Sequence, residues 1–207
     1  MKKIFWICIL LCSFKLKANC QSELGIIGGI NFAKLHAPKN FEPVNNSFLT
    51  SFHVGLVTDF RLSFNLYFQP QFLLSGKGAK HWSDYQDTVS IKTFYFEIPL
   101  NILYKNAAGN GNFLVGLGPY IAGGMFGAKR NKHFNKKIKF GNKFNDDART
   151  FDTGLNLIGG YEFKSGTLVN INYSLAVTDA VSGAFAPLAR NRYLGISVGY
   201  FLGRNEK

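Results

Sequence analysis

The sequence predicts an all-β fold, an eight-stranded antiparallel transmembrane β-barrel of up-and-down meander topology. Three observations lead there. Eight segments alternate, with period two, between bulky apolar residues and Gly, Ser, Asn, Gln, Asp or Glu. The connections between them alternate between long polar loops and very short turns. After residue 20 no continuous apolar run is long enough for a spanning helix, so any membrane crossing must use strands.

The first 20 residues read as a signal peptide. Met1, Lys2 and Lys3 form a basic start, and the apolar run 4–14 is too short to span a bilayer. Cleavage is expected after Cys20, leaving residues 21–207 as one outer-membrane barrel domain. A lipoprotein reading, with Cys20 acylated, is disfavoured by Lys17, which stands where such a site wants an aliphatic residue. Cys8, Cys12 and Cys20 all fall in the removed segment, which excludes disulfides, a cysteine nucleophile and thiolate metal sites from the mature chain. Removal of Lys2, Lys3, Lys15 and Lys17 lowers 24 basic residues to 20 against 12 acidic ones. For an exported chain, that basic balance points to anionic lipid or polysaccharide and away from nucleic acid.

Strand one, residues 24–34, sets Leu24, Ile26, Ile30 and Phe32 against Gly25, Gly29 and Asn31. Loop one (35–48) carries Pro38 and Pro43 and is expected to be irregular. Strand two (49–60) sets Phe52, Val54, Leu56 and Phe60 against His53, Gly55 and Asp59. After the turn Arg61-Leu62-Ser63, strand three sets Phe64, Leu66, Phe68, Phe72 and Leu74 against Asn65, Gln69, Gln71 and Ser75. Loop two covers 76–90. Strand four (91–105) sets Phe94, Phe96, Ile98, Leu100, Ile102 and Tyr104 against Thr93, Glu97 and Asn101.

The Gly- and Asn-rich stretch 106–112 reads as a reversal. Strand five then sets Phe113, Val115, Leu117 and Ile121 against Gly116, Gly118, Tyr120 and Gly124, and loop three covers 128–149. Strand six (151–163) sets Phe151, Leu155, Leu157, Tyr161 and Phe163 against Asp152, Gly154, Asn156, Gly160 and Glu162. After Lys164-Ser165-Gly166, strand seven sets Val169, Ile171, Tyr173, Leu175 and Val177 against Asn170, Asn172 and Ser174. Loop four covers 179–191, and strand eight sets Leu194, Ile196, Val198, Tyr200 and Leu202 against Gly195, Ser197 and Gly199.

Alternation alone does not say which face is inside, because a lipocalin-like soluble barrel alternates too. Residue size decides it. Inward Gly, Ser and Asn fit a narrow bore, whereas Phe, Leu and Ile on every strand exceed what an aqueous surface tolerates. A bilayer offers no partner to a free sheet edge, so strand one must pair with strand eight. The short turns then share the periplasmic side with the termini, and four long loops emerge at the cell surface. Phe60, Phe64, Tyr104, Phe113, Tyr161, Phe163 and Tyr200 are expected to form the periplasmic aromatic girdle.

Several segments resemble one known family: 25–34 (GIIGGINFAK), Gly55-Leu56 with 59–63 (DFRLS), 66–72 (LYFQPQF), 96–100 (FEIPL), 116–120 (GLGPY), and Asp152-Thr153-Gly154 with Gly159-Gly160-Tyr161. Together they resemble the PorT-like outer-membrane β-barrel family of Bacteroidetes, over essentially the whole mature chain. The resemblance implies a small outer-membrane barrel, and one branch of the family takes part in protein secretion across the outer membrane. The tail, residues 203–207, departs from the aromatic ending usual in such barrels.

The inward polar residues Asn31, His53, Asp59, Gln69, Gln71, Glu97, Asn101, Asp152, Asn156, Glu162 and Asn170 are expected to form a hydrogen-bonded plug in the lumen. A cation or proton site built on its four carboxylates is the sharper alternative. Loop three concentrates Lys129, Arg130, Lys132, Lys136, Lys137, Lys139, Lys143 and Arg149, with Phe134, Phe140 and Phe144 interleaved. It is a candidate anion-binding loop for lipopolysaccharide phosphates or an acidic polymer, against the plainer reading of a solvated basic loop.

No catalytic, metal or cofactor site is expected. His81, Ser83 and Asp84 have the residue types of a hydrolase triad, but adjacent positions do not supply a triad assembled in space from separated segments. His36, His53, His81 and His133 are scattered singly, without ligand spacing. The glycines of strands one and five are not followed by a helix pattern, so they are not a nucleotide loop. The expectation is a monomeric, non-enzymatic outer-membrane protein with a closed polar lumen, serving envelope structure or surface interaction. An accessory role in secretion, with envelope or secretion proteins as partners, is the alternative; a lipid-modifying enzyme is a distant third.

Overall fold

The structure is a computed structural model and describes residues 22–37, 47–80, 89–141, 143, 146–180 and 189–202. The segment 1–20, expected to be a signal peptide, lies outside them. Eight long strands form the wall: β1 (Ser22–His36), β2 (Leu49–Arg61), β3 (Leu66–Ala79), β4 (Ser90–Ala108), β5 (Gly111–Arg130), β7 (Phe151–Phe163), β8 (Thr167–Ala176) and β9 (Arg190–Phe201). Each pairs antiparallel with its neighbour in sequence order, and β6 (Asn135–Lys137) is a short ribbon on the end of β5.

Closure comes from β1 pairing with β9, in register from Gly25↔Phe201 to His36↔Arg190. With β4 also paired to β5, no wall strand keeps a free edge. The outward set is apolar on every wall strand: Ile26, Phe52, Phe72, Phe96, Leu117, Leu157, Ile171 and Ile196 are all exposed, Leu117 by 59%. A band of that kind around the whole circumference is stable in hydrocarbon and not in water.

The short turns fit their residues. Only Gly109 and Asn110 separate β4 from β5, and Gly109 supplies the left-handed backbone at φ 58° that a two-residue hairpin requires. Lys164-Ser165-Gly166 closes the β7–β8 hairpin with Gly166 at φ 88°. Phe60 stacks on Phe68 at 6.2 Å near the same rim, and Tyr104–Phe113 and Tyr161–Phe163 pairs continue the aromatic ring there.

Several sequence boundaries need correction. Phe64 lies in the 62–65 turn, 80% exposed, so β3 starts at Leu66. Asn65, expected inside, instead donates to the hydroxyl of Tyr104. Residues 76–79, expected in loop two, continue β3, because Gly76 and Gly78 let neighbouring chain pack where a Cβ would collide. The reversal expected over 106–112 shrinks to two residues, as β4 runs to Ala108. β5 runs through Arg130, past a bulge at Met125 that places both Met125 and Phe126 outward.

The lumen is layered rather than uniformly polar. Along β4 the inward residues run Ile91, Thr93, Tyr95, Glu97, Pro99, Asn101, Leu103, Lys105. Leu103 belongs to an interior apolar cluster with Ile27, Val57, Leu73, Leu114, Ile158, Leu168 and Phe201. Polar groups therefore fill the middle of the bore and a layer towards each end. The apolar cluster of Leu103 lies between the middle and the short-turn end, and a second one, Leu35, Ala37, Ala79, Ala180 and Ala189, caps the long-loop end.

Candidate functional site

All eleven expected lumen residues are buried, none more than 5% exposed. They fall into three groups. Nearest the short turns, Lys105 on β4 bridges Asp59 on β2 and Glu162 on β7. Gln69 Nε2 donates to Asp59 Oδ1 at 2.8 Å, and Gln71 Nε2 donates to Gln69 Oε1 at 2.9 Å. The Lys105 ammonium also lies 4.6 Å from the Tyr67 ring centroid.

The middle group is neutral. His53 Nδ1 is 2.7 Å from Asn31 Oδ1 and Nε2 is 2.9 Å from Ser197 Oγ. Asn31 spends its Nδ2 on Ser75 Oγ and the Gly76 carbonyl, so its Oδ1 must accept. That assigns the proton to His53 Nδ1 and leaves Nε2 to accept from Ser197. Asn156 donates to Asn101 Oδ1 at 3.1 Å and accepts from Ser174 at 2.8 Å. Asn170 is buried beside this group, but its amide nitrogen meets no partner among the described residues.

Towards the long loops, Lys77 Nζ lies 2.7 Å from Glu97 Oε2 and donates to Asp152 Oδ2 at 2.9 Å. Tyr193 OH donates to Glu97 Oε1 at 2.6 Å, while Asn191 Nδ2 and Thr178 Oγ1 donate to Asp152. The aromatic rings of Tyr120, Tyr95 and Tyr193 surround the same ammonium, at 4.2, 5.4 and 5.5 Å. A fully buried lysine is tolerated only with such compensation.

Sequence reasoning missed both lysines. Lys105 was legible: it shares the inward parity of Glu97 and Asn101 along β4. Lys77 was hidden by its flanking glycines, which read as a loop.

The bore is filled. A cavity of about 10 Å³ lies among His53, Gln71, Asn156, Asn170, Asn172 and Ser197, room for roughly one water. Among the described residues no three His, Cys, Asp or Glu gather as a metal would need.

Loop three is folded over the mouth. Ile138 N donates to the Gly127 carbonyl, Gly124 N to that of Thr150, and Arg149 N to that of Ala180. Phe140 packs edge-on against Tyr95 at 5.6 Å, the loop's wedge into the barrel. Phe144 lies outside the described residues. Lys139 pairs with Asp146 at 3.2 Å, and Lys136 and Arg149 reach Asp147 and Asp179 at 3.9 Å. Lys129 faces the mouth below the loop, and Arg130 donates to Asn135. Lys132, Lys137 and Lys143 meet no carboxylate among the described residues. His81, Ser83 and Asp84 lie outside the described residues.

Residues 18–182 match the family described as outer membrane protein beta-barrel domain. The chain belongs to that family. Its place is the outer membrane, and its wall is the closed eight-stranded barrel described above. Among solved structures it is similar to Ail, the attachment invasion locus protein of Yersinia pestis, at 9% identity and TM-score 0.45, covering 87% of this chain and 99% of that one. Neisserial surface protein A (NspA) is similar at 10% identity and TM-score 0.46, covering 86% and 96%. At that distance neither carries an argument about function. A comparison with functionally curated proteins finds no match.

Proposed function

We propose that this outer-membrane barrel is a monomeric, non-enzymatic envelope protein. Its sealed shaft holds four loops at the cell surface, and loop three meets lipopolysaccharide or another anionic surface polymer. The observation that carries the reading is the bore itself: two lysine–dicarboxylate clusters and an amide network occupy its middle, and among the described residues they leave no channel for solute through it. Function then falls to the exterior. Because loop three is pinned to the rim by backbone bonds and Phe140, its free cations are presented on a fixed platform. The orientation, with termini and short turns periplasmic, follows the usual placement of short turns in such barrels.

The test is charge reversal of Lys136, Lys137 and Lys139 in the full chain, with binding to anionic glycolipid vesicles measured. Weakened binding supports the reading, and unchanged binding removes it.

A second reading rests on the resemblance of the 25–34, 66–72 and 116–120 segments to PorT-like barrels. It makes the chain an accessory of protein secretion, and a stable complex recovered from detergent extracts would favour it over the first.

A further inference from the structure

On the outer wall, where β1, β9 and β8 approach the long-loop rim, a groove of about 540 Å³ opens towards the surrounding lipid. Its size is within the roughly 300–1,000 Å³ range of ligand clefts. Phe32, Phe48, Tyr173 and Leu194 make it apolar, and Lys34 and Arg192 stand in its lining.

The two cations face each other. Lys34 and Arg192 are directly opposed in the β1–β9 ladder, both on the outward face, and the next outward pair is His36↔Arg190. Like charges directly opposite each other destabilise a sheet. Arg190 is compensated by Asp179 at 3.4 Å. Lys34 and Arg192 meet no carboxylate among the described residues; the Lys34 ammonium has only the Phe48 ring, at 5.8 Å. Both are half-buried on a wall that faces lipid. At the opposite rim the outward residues of the same two strands are uncharged: Leu24, Tyr200 and Leu202. A lipid-facing pair of cations above an apolar slot calls for an anion that carries its own hydrocarbon.

We infer that this groove binds one phosphorylated, acylated glycolipid of the outer leaflet, its phosphate between Lys34 and Arg192 and an acyl chain along Phe32, Tyr173 and Leu194. The arginine fork suits phosphate oxygens and the lysine supplies a point charge. The side chains extend their stems along the wall and lift their charges to headgroup height. This site is separate from loop three, but it rests on the orientation proposed above, which puts the groove in the outer leaflet.

The test is native mass spectrometry of the detergent-solubilised full chain titrated with lipid A, dephosphorylated lipid A or phosphatidylglycerol. One lipid A is expected to be retained, about ten-fold or more tightly than its dephosphorylated form. Lys34→Gln and Arg192→Gln should each weaken retention and together abolish that preference, with heat-modifiability on a gel confirming the fold. Reversal of Lys136, Lys137 and Lys139 should leave this lipid in place, which separates failure of the groove from failure of the loop-three reading. Equal retention of phosphorylated and dephosphorylated lipid by the unaltered chain overturns the inference, as does phosphatidylglycerol binding as tightly as lipid A. Unchanged retention in either the double variant or both single variants also overturns it.

Discussion

Lys77 and Asp152 meet at 2.9 Å across the bore, from β3 and β7, two strands that share no ladder. The contact ties opposite walls of the barrel from within. Glu97 on β4 completes the tie on one side and Tyr193 on β9 reaches it from another. With the Tyr120 ring on β5, five of the eight wall strands thus converge on one ammonium.

Removing that ammonium should be costly, because two carboxylates would be left buried without their cation. Lys77→Met is expected to destabilise the barrel by about 3–5 kcal/mol. Adding Glu97→Gln and Asp152→Asn should recover most of the loss, since the charge needing compensation goes with the lysine. Urea-induced unfolding in lipid vesicles measures both; equal stability of the single and triple variants would speak against the tie.

The facing of β4 sets a second expectation. Ile98 points to lipid and Asn101 into the bore, where it accepts from Asn156. Ile98→Arg should cost about 2–4 kcal/mol. Asn101→Ala, which gives up one amide contact, should cost about 1 kcal/mol. The same unfolding assay ranks them, and equal tolerance would count against the assigned faces.

Loop three should open in acid. The Lys143 backbone N–H and the Lys139 ammonium hold the Asp146 carboxyl below its ordinary value of 3.8. A lowered folded-state value means the contribution is complete above the ordinary value and disappears as pH falls through the lower one. The amide resonance of Lys143 should therefore titrate with a midpoint under 3.8. Asp146→Asn should loosen the loop at neutral pH, read by limited proteolysis.

Phe140→Ala removes the wedge on Tyr95. The expected result is faster proteolysis between residues 131 and 149 with unchanged heat-modifiability, since the wall does not depend on the loop. No conductance should appear, because the Lys77 and Lys105 clusters still fill the bore. Currents in a planar bilayer would show that the loop, and not the lumen, makes the seal.

The wall was legible in the sequence because a period-two pattern survives any tilt or register. Ile26, Phe52, Leu157 and Val198 announce the lipid face one residue at a time. What was not legible depended on neighbours distant in the chain. Gly76 and Gly78 look like loop residues until the walls they pack against are known. Ile27, Val57 and Leu103 alternate out of phase with the lipid face and break the polar pattern of the inward set, although they build the apolar layer of the bore. The pairing of each lysine with two carboxylates needed the closed barrel, since Lys105 and Glu162 lie 57 residues apart. The folded state of loop three was hidden too, because its charge pattern reads as a solvated loop until Phe140 is seen against Tyr95.

The central claim is that a hydrophobic outer face meets lipid while a packed interior seals the bore. A spin-label scan of residues 96–103 on β4, with the protein in lipid vesicles, tests it most directly. Labels at 96, 98, 100 and 102 should collide freely with oxygen dissolved in the bilayer, and labels at 97, 99, 101 and 103 should be shielded. An inverted alternation, or none, would contradict the account.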